Sequence, residues 1–360
     1  MDQAKALKAL DHEVRILSNV QLGTTIGLRD YLWLPYTRYE HQRDGITVYQ
    51  SYQRGLPRSV RFNVNGWLRI VCSMFEDYIK RYGKPDILHA HCAKWAGYAA
   101  MLINKKHHVP YVITEHLPKM LFEQEFGKAP SDAWQIPLLK SAYENANMVL
   151  PVSEDLVDEL ACYFGKSYRW QYLSNTIDTD FFHYHKRDKS EGRAFRFCCL
   201  ADYSYRKGYD VLFKSFRTLL DNGCNVELHI AGRNTERVKQ SYVKAHGRLD
   251  KQGVRELLYH CDALVLASRS EVQPLVVLEA MSTGIPVVGT TSIPRCLRIE
   301  GGCRIVAVDD AAALAEAMQT LLKEPVVDDV YLSEQVREIA SPEVIGKRLQ
   351  AIFYDVLASI

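Results

Sequence analysis

The chain has 360 residues, 47% hydrophobic and 24% charged, with a formal net charge of +2. That composition is ordinary for a soluble globular protein and long enough for two domains of about 150–200 residues each. The near balance of charge argues against a dedicated nucleic-acid binder, which carries a clustered basic excess.

No run of 18 apolar residues occurs, so no transmembrane helix is expected. The start, MDQAKALKALDHEVRIL, has no continuous apolar core and is not a signal peptide. The nine cysteines form no Cys-x-x-Cys pair. Their scatter over apolar stretches predicts reduced thiols in a cytosolic protein, with no zinc site.

In chain order, the first half predicts strands at Glu13–Leu17, Asp86–Ala90, Tyr111–Thr114 and Asn147–Val152. Helices are expected at Gly97–Asn104 and Glu154–Tyr163. The polar stretch His183–Arg193 reads as a linker. Beyond it come strands at Phe195–Leu200, Val226–Ala231, Ala263–Ala267, Pro286–Gly289 and Arg304–Val308. Helices at Tyr209–Leu220, Lys251–His260, Leu275–Ser282 and Ala311–Leu322 are interleaved with them. Ser333–Ile360 has helical character. Such alternation predicts βαβ units and parallel sheets, arranged as two Rossmann-like halves facing a cleft.

The stretch ALVLASRSEVQPLVVLEAMSTGIPVV, Ala263 to Val288, places Glu271 after a buried strand and Glu279 on the helix that follows. The carboxyl ends of strands in an open α/β sheet are where ligands bind. The helix start at Pro274–Leu275 adds N–H groups and a positive dipole end suited to phosphate. This pattern resembles the donor-site signature of retaining GT-B glycosyltransferases, family-four (glycosyl transferases group 1) type, with its Glu-(seven residues)-Glu motif.

The resemblance implies a GT-B fold. Residues 1–182 would form an acceptor-side domain and 194–339 a nucleotide-sugar donor domain, with a helix at about 340–360 packing back on the first. It implies that Glu271 holds the transferred sugar and Glu279 the nucleotide ribose. PDILHAHCAKWAGYAAMLINKKHHVPYVITEH fits the first-domain pattern and puts His116 at the family's active-site histidine, with His89 structural and His91 lining the cleft. Asn175 and Asp178 of LSNTIDTDFF fit the family's interdomain turn. CLADYSYRKGYDVLFKSF puts Lys207 at the phosphate-binding lysine, with Arg206 beside it. VELHIAGRN brings Gly232 and Arg233 near the pyrophosphate. Gly247 and Leu249 fall where the nucleotide base sits, and Val272, Gln273, Leu275 and Val276 complete the donor set.

The implied activity is transfer of a sugar from a nucleotide diphosphate sugar to a saccharide or lipid-linked acceptor, with retention. It needs no metal or other cofactor, and suits cytoplasmic polysaccharide or cell-envelope biosynthesis at the inner membrane face. Nucleic acid is not an expected partner. Lys105-Lys106-His107-His108 and the Trp67/Arg69 region read as a solvated face, the alternative being a peripheral membrane contact. A dinucleotide-dependent dehydrogenase is disfavoured because no Gly-x-Gly-x-x-Gly follows a strand.

Three departures from the family keep a second reading open, that of a catalytically impaired nucleotide-sugar-binding partner of an active transferase. The family's arginine five positions before the lysine is Asp202 here, where a carboxylate would repel phosphate unless it points away or Arg206 reaches in. Pro274 has no N–H to offer. The first domain lacks its usual first strand and glycine-rich loop, so either the start lies upstream of Met1 or the acceptor domain is damaged. The connection after VELHIAGRN is also short, with a helix and a strand expected to be trimmed.

Overall fold

The computed structural model describes the chain except for residues 34–37, 128–132, 188–191 and 324–328, so four residues of the expected linker lie outside the described set. Two compact units result: Met1–Val152 with Val157–Leu173 and Gly346–Ile360, and Ser153–Leu156 with Ser174–Ile345.

The first unit opens with α1 (Asp2–Lys8), β1 (Arg15–Leu22) and α2 (Leu28–Leu32). A hairpin of β2 (Arg38–Arg43) and β3 (Ile46–Arg54) follows, then the long helix α3 (Val60–Tyr82). The hairpin turns at Asp44 and Gly45, with φ of 51° and 73°, the left-handed pair that a two-residue hairpin loop needs. Next come β4 (Leu88–His91), α4 (Tyr98–His107), β5 (Tyr111–Glu115), α5 (Lys119–Phe126), α6 (Gln135–Glu144), β6 (Met148–Pro151) and α7 (Asp155–Phe164).

These strands make two three-stranded sheets rather than one, β1-β3-β2 and β4-β5-β6. β1 and β4 are each at an edge, and Leu17 of β1 and Leu88 of β4 pack on the same cluster of Phe75, Ile103 and Val109.

The second unit contains β7 (Phe195–Leu200), α8 (Tyr209–Asp221), β8 (Val226–Ala231), β9 (Val243–Ala245), α9 (Lys251–His260) and β10 (Ala263–Leu266). It continues with α10 (Leu275–Ser282), β11 (Val287–Thr290), β12 (Cys303–Val306), α11 (Ala311–Lys323) and α12 (Asp329–Ala340). All six strands are parallel, in the order β12-β11-β10-β7-β8-β9. β10 and β11 are buried along their whole length, which is why they read as continuous apolar runs. Between β8 and β9 a single 3-10 turn, Thr235–Arg237, replaces the helix, but the strand expected to be trimmed survives as three residues.

The C-terminal segment forms α13 (Pro342–Ala358), whose later part belongs to the first unit. There Gln350 donates to His12 Nε2 at 2.8 Å, and Phe353 meets the His89 ring at 5.6 Å. All nine cysteines are free thiols.

Gly208 joins the loop after β7 to α8. It has φ of +65°, and a Cβ there would lie 1.9 Å from the carbonyl oxygen of Ala267, at the end of β10. Gly165, with φ of +71°, has nothing within 4 Å of such a Cβ. Gly165→Ala is therefore expected to cost about 1–2 kcal/mol from its backbone conformation alone. Gly208→Ala adds a backbone clash and should cost ~3 kcal/mol or more. Urea unfolding of both variants checks this, and equal losses would mean the β7 and β10 loops do not approach so closely.

Candidate active site

In the second unit the chain runs β7, β8, β9 toward one side of the sheet, then returns to lay β10, β11 and β12 on the other. The strand order reverses between β7 and β10, and loops leaving the carboxyl ends of two such strands diverge around a crevice. Lys207 lies on the loop after β7 and Glu271 on the loop after β10. Lys207 Nζ is 2.5 Å from Glu271 Oε1, with 13% and 7% of the two side chains exposed. Arg206 Nη1 donates to the Ser270 carbonyl at 2.8 Å and lies 3.4 Å from Glu271 Oε2.

A residue not anticipated from sequence holds these loops together. Arg269 donates its main-chain N–H to the Arg206 carbonyl at 2.8 Å. Its guanidinium binds both Asp210 oxygens, at 3.0 and 2.7 Å, and Asp309 at 2.7 Å, and lies 3.9 Å over the Tyr205 ring. These carboxylates raise the Arg269 pKa, with the Asp210 hydrogen bonds foremost. The sequence signal was no more than a basic residue between an apolar strand and Glu271.

Asp202 does not stand as an isolated negative charge. Its Oδ1 accepts the Arg233 main-chain N–H at 2.9 Å, and Oδ2 accepts Arg233 Nε and Nη2 at 2.9 and 2.7 Å. The Arg233 guanidinium holds the Asp202 carboxyl below its ordinary range, burial opposing. The expected repulsion of phosphate is thus corrected: the carboxylate is neutralised, and it fixes an exposed guanidinium at the carboxyl ends of β7 and β8. Gly232 allows this approach, since a Cβ there would lie 2.2 Å from the Ala201 carbonyl. Its N–H donates to the Gly247 carbonyl at 2.8 Å, joining the β8 and β9 loops.

Glu279, on α10, is largely buried, and burial pushes its carboxyl up to about 7, with Lys251 opposing weakly. Leu275 and Val276 form the first turn of α10, and Leu275 is exposed. Val272 is half-buried in the loop before it, and Leu249 packs partly on the core. The Gln273 side-chain amide accepts from Asn175 N at 2.6 Å and donates to Ser174 Oγ at 2.9 Å, tying the Ser174–Asn175 segment to the α10 loop.

In the first unit, His116 follows β5. Its Nε2 lies 3.1 Å from His91 Nδ1, and the two rings stack at 5.3 Å. Burial lowers the His91 pKa to about 4, His116 adding to the effect, so His91 is neutral at physiological pH. His89 lies 2.6 Å from Thr114 Oγ1, and burial depresses it well below the usual range, which makes it a neutral structural residue. Sequence reasoning missed Glu115. Its Oε1 accepts the N–H groups of His116 and Leu117, both at 2.9 Å. Its Oε2 accepts from Ala93 N at 3.0 Å and Tyr143 OH at 2.7 Å. A carboxylate ending the otherwise apolar strand YVITE was the available signal. Among the described residues, no cluster of His, Cys, Asp or Glu has the spacing to hold a metal ion.

The family model described as Glycosyltransferase Family 4 matches residues 1–181, and that described as Glycosyl transferases group 1 matches residues 194–324. A Bacillus subtilis (strain 168) protein named as a teichuronic acid biosynthesis glycosyltransferase, TuaC, is 27% identical over 327 residues, covering 87% of this chain and 80% of its own. A phosphatidyl-myo-inositol mannosyltransferase of Mycobacterium leprae (strain TN) is 25% identical over 166 residues, 43% of this chain and 44% of its own. Among solved structures, sucrose-phosphate synthase from Thermosynechococcus elongatus superposes with a TM-score of 0.74 at 16% identity, over 99% of this chain and 92% of that one. Anabaena HepE, solved with UDP-glucose, gives 0.64 at 16% identity, over 86% of each chain. These likenesses establish the GT-B fold, with two Rossmann-like α/β units.

The raised Glu279 pKa has a signed consequence. The folded chain keeps a proton up to about pH 7 that the unfolded chain loses near 4.5. This residue's contribution to stability therefore falls as pH rises between those values and is level above them. Glu279→Gln should match the parent below that window and be more stable at pH 8, by on the order of 2–3 kcal/mol. Urea unfolding at both ends of the window tests it, and identical pH slopes would place Glu279 in solvent.

Proposed function

The chain belongs to glycosyltransferase family 4, and from that premise we propose that it transfers a sugar from a nucleotide diphosphate sugar to a saccharide or lipid-linked acceptor, with retention of anomeric configuration. The observation that carries the donor assignment is the meeting of Lys207 and Glu271 at the point where strand order reverses. The likeness to HepE, whose structures contain UDP and UDP-glucose, supports a nucleotide sugar as donor.

Glu271 is nearly buried, so its charge needs a partner, and Lys207 supplies it. An incoming diphosphate offers the ammonium a second anion, and Glu271 is then available to accept hydrogen bonds from the sugar hydroxyls. As the glycosidic bond breaks, negative charge grows on the diphosphate. A fixed ammonium stabilises that charge without reorganising. Arg233, Arg206 and the free N–H groups of the first turn of α10 add to the positive field, the task a divalent ion performs elsewhere. Glu279, further along α10, accepts from the ribose hydroxyls. Gly232, Gly247 and Leu249 border the nucleotide, with Val272, Leu275 and Val276 on the sugar side. His116 is assigned to the reacting face of the sugar through its place in the family motif, with Glu115 as a positioning residue that fixes its main chain. No covalent nucleophile is invoked.

Thermal unfolding against UDP, GDP and ADP and their sugar conjugates should give a rise of several degrees with one base. Lys207→Ala should lower turnover by about 100-fold or more, and Glu279→Gln should weaken donor binding. Unchanged transfer rate and donor affinity in both variants would sink the donor-site assignment.

Asp202→Arg separates a positioning effect from simple repulsion. It breaks the hold on Arg233, so diphosphate affinity should drop several-fold, and adding Arg233→Asp should recover most of the loss. Tighter binding by Asp202→Arg alone would mean that the carboxylate acts by repulsion.

A further inference from the structure

We infer that the carboxyl-terminal end of β1 and β3 in the first unit carries a docking surface for an anionic lipid bilayer. This inference does not depend on the donor-site reading. Five large apolar side chains are exposed there: Trp33 (81%), Phe62 (64%), Leu32 (56%), Val60 (51%) and Leu56 (42%).

They come from three elements that hydrogen bonds tie into one surface. Arg54, at the end of β3, donates to the Leu32 carbonyl at 2.6 Å, and Tyr31 OH donates to the Gly55 carbonyl at 3.2 Å. The Asn63 side chain donates to the Leu56 carbonyl at 2.7 Å and accepts from the Leu56 N–H at 2.8 Å. α2, the turn after β3 and the first turn of α3 are therefore held side by side, with their apolar side chains toward solvent.

The charge around them is mainly positive. From Gly45 to Phe75 the sequence contains four arginines and no aspartate, glutamate or lysine. Arg58, Arg61 and Arg69 are exposed, and none has a carboxylate partner among the described residues. Phe62 and Arg69 are seven positions apart on α3, hence on one face. Arg29 lies on α2 beside Leu32, and Asp30 is the one neighbouring acid.

A bilayer interface suits this combination. Indole and phenyl rings settle at headgroup depth, and guanidinium groups reach anionic phosphates from the same side. Leu32, Leu56 and Val60 are aliphatic and have no face on which a nucleic-acid base would stack. A second copy docking symmetrically would set these arginines against one another with Asp30 alone to offset them.

Other basic and aromatic residues of this unit have partners within the fold. Lys106 and His107 both face Glu76, and the half-buried Trp67 donates its Nε1–H to the Asn19 carbonyl at 2.9 Å.

The test is co-sedimentation of the full chain with vesicles of phosphatidylcholine alone, and with about one-third phosphatidylglycerol added. The parent should bind the anionic vesicles, less so at high salt. Arg58→Glu with Arg61→Glu should weaken that binding at least about ten-fold. Trp33→Ser with Phe62→Ser should abolish it at every lipid composition. All four side chains are exposed, so unchanged unfolding curves should accompany both variants. Failure of the parent to bind either vesicle, or equal binding by parent and variants, overturns the proposal. So does a dimer seen by light scattering that Trp33→Ser with Phe62→Ser dissolves, which would give the surface to a second copy.

Discussion

The Lys207–Glu271 pair is the constraint around which the second unit's functional loops are arranged. A carboxylate as buried as that of Glu271 cannot be left without a counter-charge, because removing one partner of a buried pair costs several kcal/mol. The pair therefore ties the loop after β7 to the loop after β10, and everything near it serves to keep those loops in place. Gly208 lets the first loop lie against the Ala267 carbonyl, where any side chain would collide. Arg269 gathers Asp210, Asp309 and the Tyr205 ring under the second loop. An ammonium held in this way has a fixed orientation.

Two glutamates eight positions apart meet opposite conditions. Glu271 has its ammonium, whereas Glu279 lies among apolar neighbours on α10, and burial lifts its pKa to about 7. The folded chain thus retains a destabilising acid within a helix that is otherwise well packed. Asp202 and Arg233 illustrate a different arrangement. Both are at the surface, and the stability gained from such a pair is small, so its consequence is orientation of the guanidinium rather than strength.

Legibility of the sequence followed burial. Strands Phe195–Leu200 and Val226–Ala231 and helices Lys251–His260 and Leu275–Ser282 are where the apolar pattern puts them, since a parallel sheet covered on both faces writes itself as continuous apolar runs. The β2–β3 hairpin was passed over, although Asp44-Gly45 is a turn signal flanked by alternating residues, because β2 is polar and mostly exposed. α3 was likewise unread, its apolar stripe interrupted by arginines and asparagines. Side-chain partnerships across loops left no trace at all. Nothing in the order of residues says that Asp202 meets Arg233, that Gln273 bonds to Ser174 and Asn175, or that Arg269 binds two aspartates. Those pairings are decided by strand order, which brings together loops dozens of residues apart.

The first unit solves the positioning problem by another route. Its strands form two short sheets, so it has no continuous six-stranded platform of the kind that supports Lys207 and Glu271. Order at the ends of β4 and β5 comes instead from a buried carboxylate. Glu115 accepts four hydrogen bonds, from three main-chain N–H groups and the Tyr143 hydroxyl, which fix the chain on both sides of the β4 and β5 ends. That coordination holds the His116 backbone, and its ring stacks with His91. Because burial keeps His91 neutral, the contact between the two rings is a single hydrogen bond between one N–H and one lone pair. Whichever of the two nitrogens carries the proton, the other must present a lone pair, so the tautomers of His91 and His116 are linked through this contact.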